Sequence, residues 1–210
     1  MTPPVVWEIL EAEIRRRRRG GDPLVVAIDG RSGSGKSTIA AAVAPKVGGT
    51  VVPTDNFFAA DIPSAEWDAR TPPQRAADAI DWRRLRAKAV EPLRAGEPAR
   101  WRGFDFEAGA RPDGTYAMQA EFTVRPPAPV IILDGAYSAR PELADLVDLA
   151  VLVEAPAAVR QERLAAREEA HFLEEWYARW NDAEEYYFTQ VRPPTAFDLV
   201  LTGAGARPYA

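Results

Sequence analysis

The sequence predicts an α/β protein built on a five-stranded, mostly parallel sheet with helices on both faces. Three observations predict it. Five short apolar runs, at residues 24–28, 50–53, 129–133, 148–153 and 197–201, are rich in Val, Ile or Leu and lack clean alternation. Strands buried on both faces of a parallel sheet read this way. Helix-prone stretches at 36–46, 81–95 and 156–170 separate most of these runs, which is the strand–helix alternation of a parallel sheet. The first run also leads directly into a glycine-rich loop and then a helix.

Taken in order, residues 4–19 carry Val5, Val6, Ile9, Leu10 and Ile14 on one side of a helical period. Arg15 to Arg19 end that helix, where positive charge suits the dipole, and Gly20-Gly21 stop it. The arginine run reads either as a solvated helix end or as a polyanion contact. Leu24 to Ile28 form the first strand. Gly30-Arg31-Ser32-Gly33-Ser34-Gly35-Lys36-Ser37 follow, the full G-x-x-x-x-G-K-[ST] pattern, and Thr38 to Ala44 continue as helix. Strand, glycine loop and helix are the context that gives this pattern its meaning as a phosphate-binding loop (Walker A). The fold expected is therefore that of a P-loop NTPase. Gly30, Gly33 and Gly35 let successive N–H groups point inward. Backbone amides of Ser32, Gly33, Ser34, Gly35, Lys36, Ser37 and Thr38 would cradle the phosphates of ATP at a helix N-terminus. Lys36 can reach the β- and γ-phosphates, and the Ser37 hydroxyl can ligate Mg²⁺.

The second and third runs each end on an aspartate. Asp55 follows the run at 50–53, and Asp134 closes Val130-Ile131-Ile132-Leu133. Ligands of open α/β sheets bind beyond the carboxyl ends of the strands, so Ser37, Asp55 and Asp134 are expected around one nucleotide–Mg²⁺ site. One carboxylate would hold the metal, and the other would orient or deprotonate an attacking hydroxyl. The bland alternatives are an Asx turn at Asp55 and a capping residue at Asp134. Residues 99–124 break the βα pattern with two alternating stretches around Gly109, Pro112, Asp113 and Gly114, which reads as an antiparallel hairpin flap. Pro72-Pro73, Pro126-Pro127 and Pro193-Pro194 read as loops or element boundaries. Arg160, Arg163 and Arg167 share a helix face. They are either a phosphate clamp or ordinary pairs with neighbouring glutamates. The following stretch to Tyr187 is dense in acids and aromatics, including Trp180 and Tyr186, and reads as a helical lid (about 160–185) with His171 on its surface.

Composition limits the alternatives. The chain has 210 residues, no cysteine and one histidine, which excludes disulfides and thiolate sites and argues against Ser-His-Asp chemistry. A net charge of −5 argues against nucleic-acid binding. No apolar run approaches a membrane span, and the N-terminal arginines lead into the phosphate loop rather than a cleavage site. A single cytoplasmic domain over 1–210 is expected, and assembly into a homo-oligomer stays open.

These residues resemble the uridine kinase-like family of P-loop kinases, with phosphoribulokinase and pantothenate kinase as relatives. The loop at 30–37 is close to that family's loop. Asp55-Asn56-Phe57-Phe58 resembles its D-x-F-[YF] motif, whose aspartate activates the substrate hydroxyl. Asp134-Gly135 stands at its acidic residue and glycine, and Arg163 with Arg167-Glu168 resembles its lid pattern. The resemblance implies an ATP- and Mg²⁺-dependent kinase of a small-molecule hydroxyl. Asp55, Lys36, Arg163 and Arg167 would be catalytic, and Phe58, Phe104, Asp105 and Arg111 would lie near the acceptor. Two positions depart from it. Gly109 stands where uridine-cytidine kinases carry a base-contacting histidine, and Arg75 falls where the family's ribose-binding aspartate aligns. The alternatives are a kinase of a non-nucleoside alcohol, a nucleoside-monophosphate kinase using Arg70, Arg75 or Arg111, and a nucleotide-dependent switch protein. No N-K-x-D guanine motif is present.

Overall fold

The computed structural model describes residues 5–18, 20–166 and 179–202. They form seven strands: β1 (Leu24–Asp29), β2 (Gly49–Pro53), β3 (Ala99–Trp101), β4 (Thr123–Arg125), β5 (Val130–Asp134), β6 (Leu149–Glu154) and β7 (Leu199–Thr202). Five of them make one sheet in the order β2-β5-β1-β6-β7. All four pairings in it are parallel. Each of the five apolar runs is thus a strand. β1 and β5 are buried along their whole length, which explains why neither alternates in sequence.

Alternate residues of these strands feed two cores. Val26, Ile28, Val130 and Ile132 face one side and pack with Leu10 and Ile14 of α1 (Val6–Arg17) and Ile39 and Val43 of α2 (Lys36–Val47). Val25, Ala27, Ile131 and Leu133 face the other and pack with Trp67, Leu85, Val90, Leu93 and Tyr187. Each fully buried side chain of this size contributes about 1.5–3 kcal/mol, so both faces are strongly specified. The second layer contains α3 (Ser64–Ala69), α4 (Pro72–Asp78) and a continuous helical run from α5 (Trp82–Leu85) to α6 (Glu91–Arg94) whose middle, Arg86–Val90, is a π turn.

Of the two readings of Pro72-Pro73, loop or element boundary, the structure gives the second: they open α4. Thr71 caps that helix, and its N–H and hydroxyl both donate to Gln74 at 2.9 Å. Proline in a first helical turn loses no hydrogen bond. The flap is an antiparallel pair, β3 with β4, extended by bridges Phe104↔Met118 and Ala110↔Tyr116. Among the described residues no helix is long and apolar enough to cross a membrane.

Candidate active site

The phosphate loop leaves the carboxyl end of β1 and enters α2 at Lys36. Gly30, Gly33 and Gly35 all have positive φ, at 147°, 77° and 99°. Two of them are also required by close approach. A Cβ on Gly30 would stand 2.3 Å from the Val153 carbonyl oxygen, and one on Gly33 would stand 2.7 Å from that of Arg160. The loop is held from below by Asp29, which is fully buried. Its Oδ1 accepts from the N–H groups of Gly30 (2.8 Å) and Tyr137 (2.9 Å). Its Oδ2 accepts from the N–H of Ala139 (3.0 Å) and the Tyr187 hydroxyl (3.0 Å). Burial nevertheless pushes this carboxyl up to about 6. Tyr137, the residue so held, is the described non-glycine residue with positive φ, at 66°. The Lys36 ammonium curls over the loop and donates to the Arg31 carbonyl at 3.0 Å.

The two strand-end aspartates lie close enough for Asp55 to act on the charge of Asp134. β5 lies between β1 and β2, with Asp134 in register with Ile28 and Pro53. Asp134 is buried, and its Oδ1 has no hydrogen-bond partner. Burial pushes its carboxyl up to about 6, against the pull of Lys36 and a hydrogen bond from Ser37, while Asp55 pushes it further up. Asp55 sits on the 3₁₀ turn Thr54–Phe57 that follows β2. The Thr54 hydroxyl donates to the Asp134 carbonyl at 3.2 Å and ties that turn to β5. Gly135 makes the approach feasible, since a Cβ there would collide with Thr54 Oγ1 at 1.9 Å.

A cavity of about 290 Å³ opens beside this cluster. Ser32 of the loop, Asp55, Tyr137 and Glu184 line one part, and Phe58, Phe104, Asp105, Phe106, Tyr116 and Trp180 line another. Phe58 is the hub of the ring cluster, 4.9 Å from Phe104 and 5.5 Å from Trp180. Phe58, Phe104 and Asp105 line this cavity. Arg111 is exposed on the flap and outside the cavity lining; its N–H donates to the Thr115 carbonyl at 2.7 Å.

The arginines sort differently from one another. Arg160 and Arg163, on α7 (Ala157–Ala165), face the loop. Arg163 Nη1 donates to the Gly33 and Ser34 carbonyls at 3.2 Å each, and Arg160 Nη1 to that of Ser32 at 3.4 Å. Arg167 and His171 lie outside the described residues. Arg75 is spent on the carbonyls of Trp67, Asp68 and Arg179, and Arg70 pairs with Glu66 and Asp78. Arg179 does reach the cavity, but it is held by Asp68 at 2.8 Å and by the Ser64 hydroxyl at 3.0 Å. Neither Arg70 nor Arg75 is placed to receive an acceptor phosphate.

A protein-family model described as "AAA domain" matches residues 24–185, from the first residue of β1 to the helical segment beyond α7. The chain belongs to that family. Among solved structures, a possible uridine kinase from Bacillus stearothermophilus is 19% identical, with a TM-score of 0.66 over 93% of this chain and 96% of that one. A candidate fructose transport system kinase from Silicibacter sp. TM1040 is 22% identical, with a TM-score of 0.65 over 94% of this chain and 99% of that one. No curated protein matches the chain. At these identities the likeness shows the fold, and it is the fold of the P-loop kinases.

Three residues of this AAA-domain protein's site gave little signal in sequence. Asp29 precedes the motif, and only its place at a strand end marks it. Tyr137 lies three residues beyond Asp134 with no pattern of its own. Glu184 is one acid among many in a stretch read as lid, yet it is buried against Ser32.

Proposed function

We propose that this protein is a kinase that moves the γ-phosphate of ATP to a hydroxyl group of a small molecule. The observation that carries this reading is the cavity wall on which Ser32 of the phosphate loop and Asp55 both stand. An alcohol in that cavity has a carboxylate beside it and the phosphate loop next to it, which is the layout an in-line transfer needs. Asp55 accepts the hydroxyl proton as the oxygen attacks. Lys36 and the amides of Gly33, Gly35, Lys36, Ser37 and Thr38 hold the phosphates and stabilise the charge that spreads over the transferring group; the Ser32 and Ser34 N–H groups expected beside them are spent on Glu184 and the Arg31 carbonyl. Arg163, already against the loop, adds positive charge on the same side.

Mg²⁺ fits the residues present. Asp134 offers a buried oxygen without a hydrogen-bond partner, the Ser37 hydroxyl lies against it, and Asp55 is near enough to influence its charge. Hard oxygen donors of this kind suit Mg²⁺. Among the described residues no group of three or more acidic, His or Cys side chains could hold a metal by itself. That agrees with an ion brought in by the nucleotide and bound through one or two carboxylates. When bound it would neutralise charge on the phosphates, with Ser37 and Asp134 as its holders and Asp55 close by.

The acceptor is better described as a non-nucleoside alcohol than as uridine. Ala79 and Ile80 supply apolar wall to the cavity, and Gly109 offers no side chain to a base. The test is ADP formation from Mg²⁺-ATP across nucleosides, sugars and other small alcohols. Turnover with at least one alcohol and none without it is expected. Nucleotide binding without transfer to any of them would favour the switch-protein alternative.

A further inference from the structure

Glu184 is a buried acid that the transfer scheme leaves unused. It belongs to the helix at 179–186 and is 3% exposed. Both of its oxygens accept from the Ser32 N–H, at 3.1 Å each, and Oε1 also accepts from the Ser32 hydroxyl at 2.7 Å. Its neighbours repeat the attachment. Glu185 pairs with Arg31 at 2.8 Å, the Arg31 guanidinium lies 5.2 Å from the Phe188 ring, and the Tyr187 hydroxyl bonds Asp29. One helical segment thus grips the entry to the phosphate loop at positions 29, 31 and 32.

A desolvated carboxylate is a poor device for stability, because an apolar side chain of similar size serves a fold as well or better. What Glu184 gains instead is control of Ser32. The Ser32 N–H and hydroxyl are fixed by Glu184, and its carbonyl accepts from Arg160. Ser32 and Glu184 also share the cavity wall with Asp55. Ser32 is therefore the phosphate-loop residue that lines the cavity in which the acceptor is proposed to sit.

We propose that Glu184 is a positioning residue that sets Ser32, and with it the cavity-facing end of the phosphate loop, for the terminal phosphate of ATP. The proposal rests on the kinase reading for where that phosphate goes, but nucleotide affinity tests it separately. Calorimetric titration with Mg²⁺-ATP and with Mg²⁺-ADP compares wild type, Glu184→Ala and Glu184→Gln. Glu184→Ala is expected to weaken ATP by roughly 10-fold, as for losing hydrogen bonds to a charged group, and ADP by less than about 3-fold. Glu184→Gln keeps an amide oxygen for the Ser32 N–H and should return ATP affinity to within about 3-fold of wild type. Should Glu184→Ala fail to fold, Ser32→Ala reads the same ratio, with an ATP-selective loss of about 3-fold for one neutral-side deletion. Equal losses for ATP and ADP, no loss, or a Gln variant as weak as the Ala variant would each overturn the assignment. Single-turnover transfer is measured on the same samples. A wild type that binds ATP but phosphorylates no alcohol defeats the kinase reading, while the ATP-to-ADP ratio still decides Glu184.

Discussion

The nucleotide side and the acceptor side of the site are built from different materials. The nucleotide side is backbone: loop amides, positive-φ glycines and buried carboxylates that fix N–H groups of residues 30, 32, 137 and 139. The acceptor side is side chain: Phe58, Phe104, Tyr116 and Trp180, brought together from the turn after β2, the flap and the segment beyond α7. Phe106, at its lip, is 63% exposed. A backbone cradle tolerates little change, because each amide position depends on a glycine or a buried acid. A wall of rings can be re-lined one residue at a time. On the proposed function, the contrast makes the transfer chemistry and the choice of acceptor separable.

The sharpest way to break that contrast is Asp55, which stands on the border between the two sides. Asp55→Asn should leave nucleotide binding within a few-fold and lower single-turnover transfer by ~10²–10⁴. Unchanged transfer would return Asp55 to a purely structural turn. Lys36→Ala tests the backbone side. Its turnover should fall by ~10²–10³, as for removal of one preorganised electrostatic donor, with circular dichroism unchanged. Normal turnover would remove the loop from the mechanism. The acceptor side is tested by substrate. Uridine and cytidine should give kcat/KM below ~10⁴ M⁻¹s⁻¹, the low end for enzymes, with some other uncharged alcohol better. Efficient uridine phosphorylation would mean that Gly109 and the apolar wall at Ala79 and Ile80 have been misread.

Asp29 gives the smallest effect, and it is one of stability. Asp29→Asn turns an amide NH₂ toward groups that donate, so it should cost about 1–3 kcal/mol in denaturant unfolding. Burial raises the folded-state carboxyl of Asp29 from 3.8 to about 6. The folded state thus binds the extra proton, and stability linked to this group is full below the unfolded value and lost as pH rises through about 6. The difference in unfolding free energy between the wild type and the Asp29→Asn variant should shrink from pH 4 to pH 7. A difference that grows over that range would show the carboxylate to be stabilised by its four donors instead.

The sequence made much of this legible, and the reasons are local. Doubly buried strands announce themselves as unbroken apolar runs, and the loop pattern needs two glycines and a Lys-Ser pair at set offsets, so β1, β2, β5, β6, β7 and the cradle were readable. Asp55 and Asp134 were readable because a strand end says where a side chain goes. α4 was not, because Pro72-Pro73 look the same opening a helix as they do in a loop. The destinations of Arg70, Arg75 and Arg111 were hidden for a different reason. Whether a guanidinium meets a phosphate or a neighbouring carbonyl depends on chain far away in sequence, as with Arg75 and Arg179. Glu184 shares that difficulty, since its partner Ser32 lies 152 positions earlier.

Arg84 bears on how this site could be re-engineered. It rises from the helical run behind the site and donates to the carbonyls of Arg102 at 2.9 Å, Asn56 at 3.2 Å and Phe58 at 3.4 Å. The Phe104 N–H adds a bond to the Asn56 carbonyl at 2.9 Å, and the Tyr116 N–H one to Ala60 at 2.8 Å. The flap and the turn bearing Asp55 are therefore one mechanical piece, joined by Arg84 and by two backbone hydrogen bonds. A hairpin borrowed from a P-loop kinase would have to place a backbone carbonyl where that of Arg102 meets this guanidinium. The natural unit of exchange is larger: the turn from 54 to 64, the flap and Arg84, moved together.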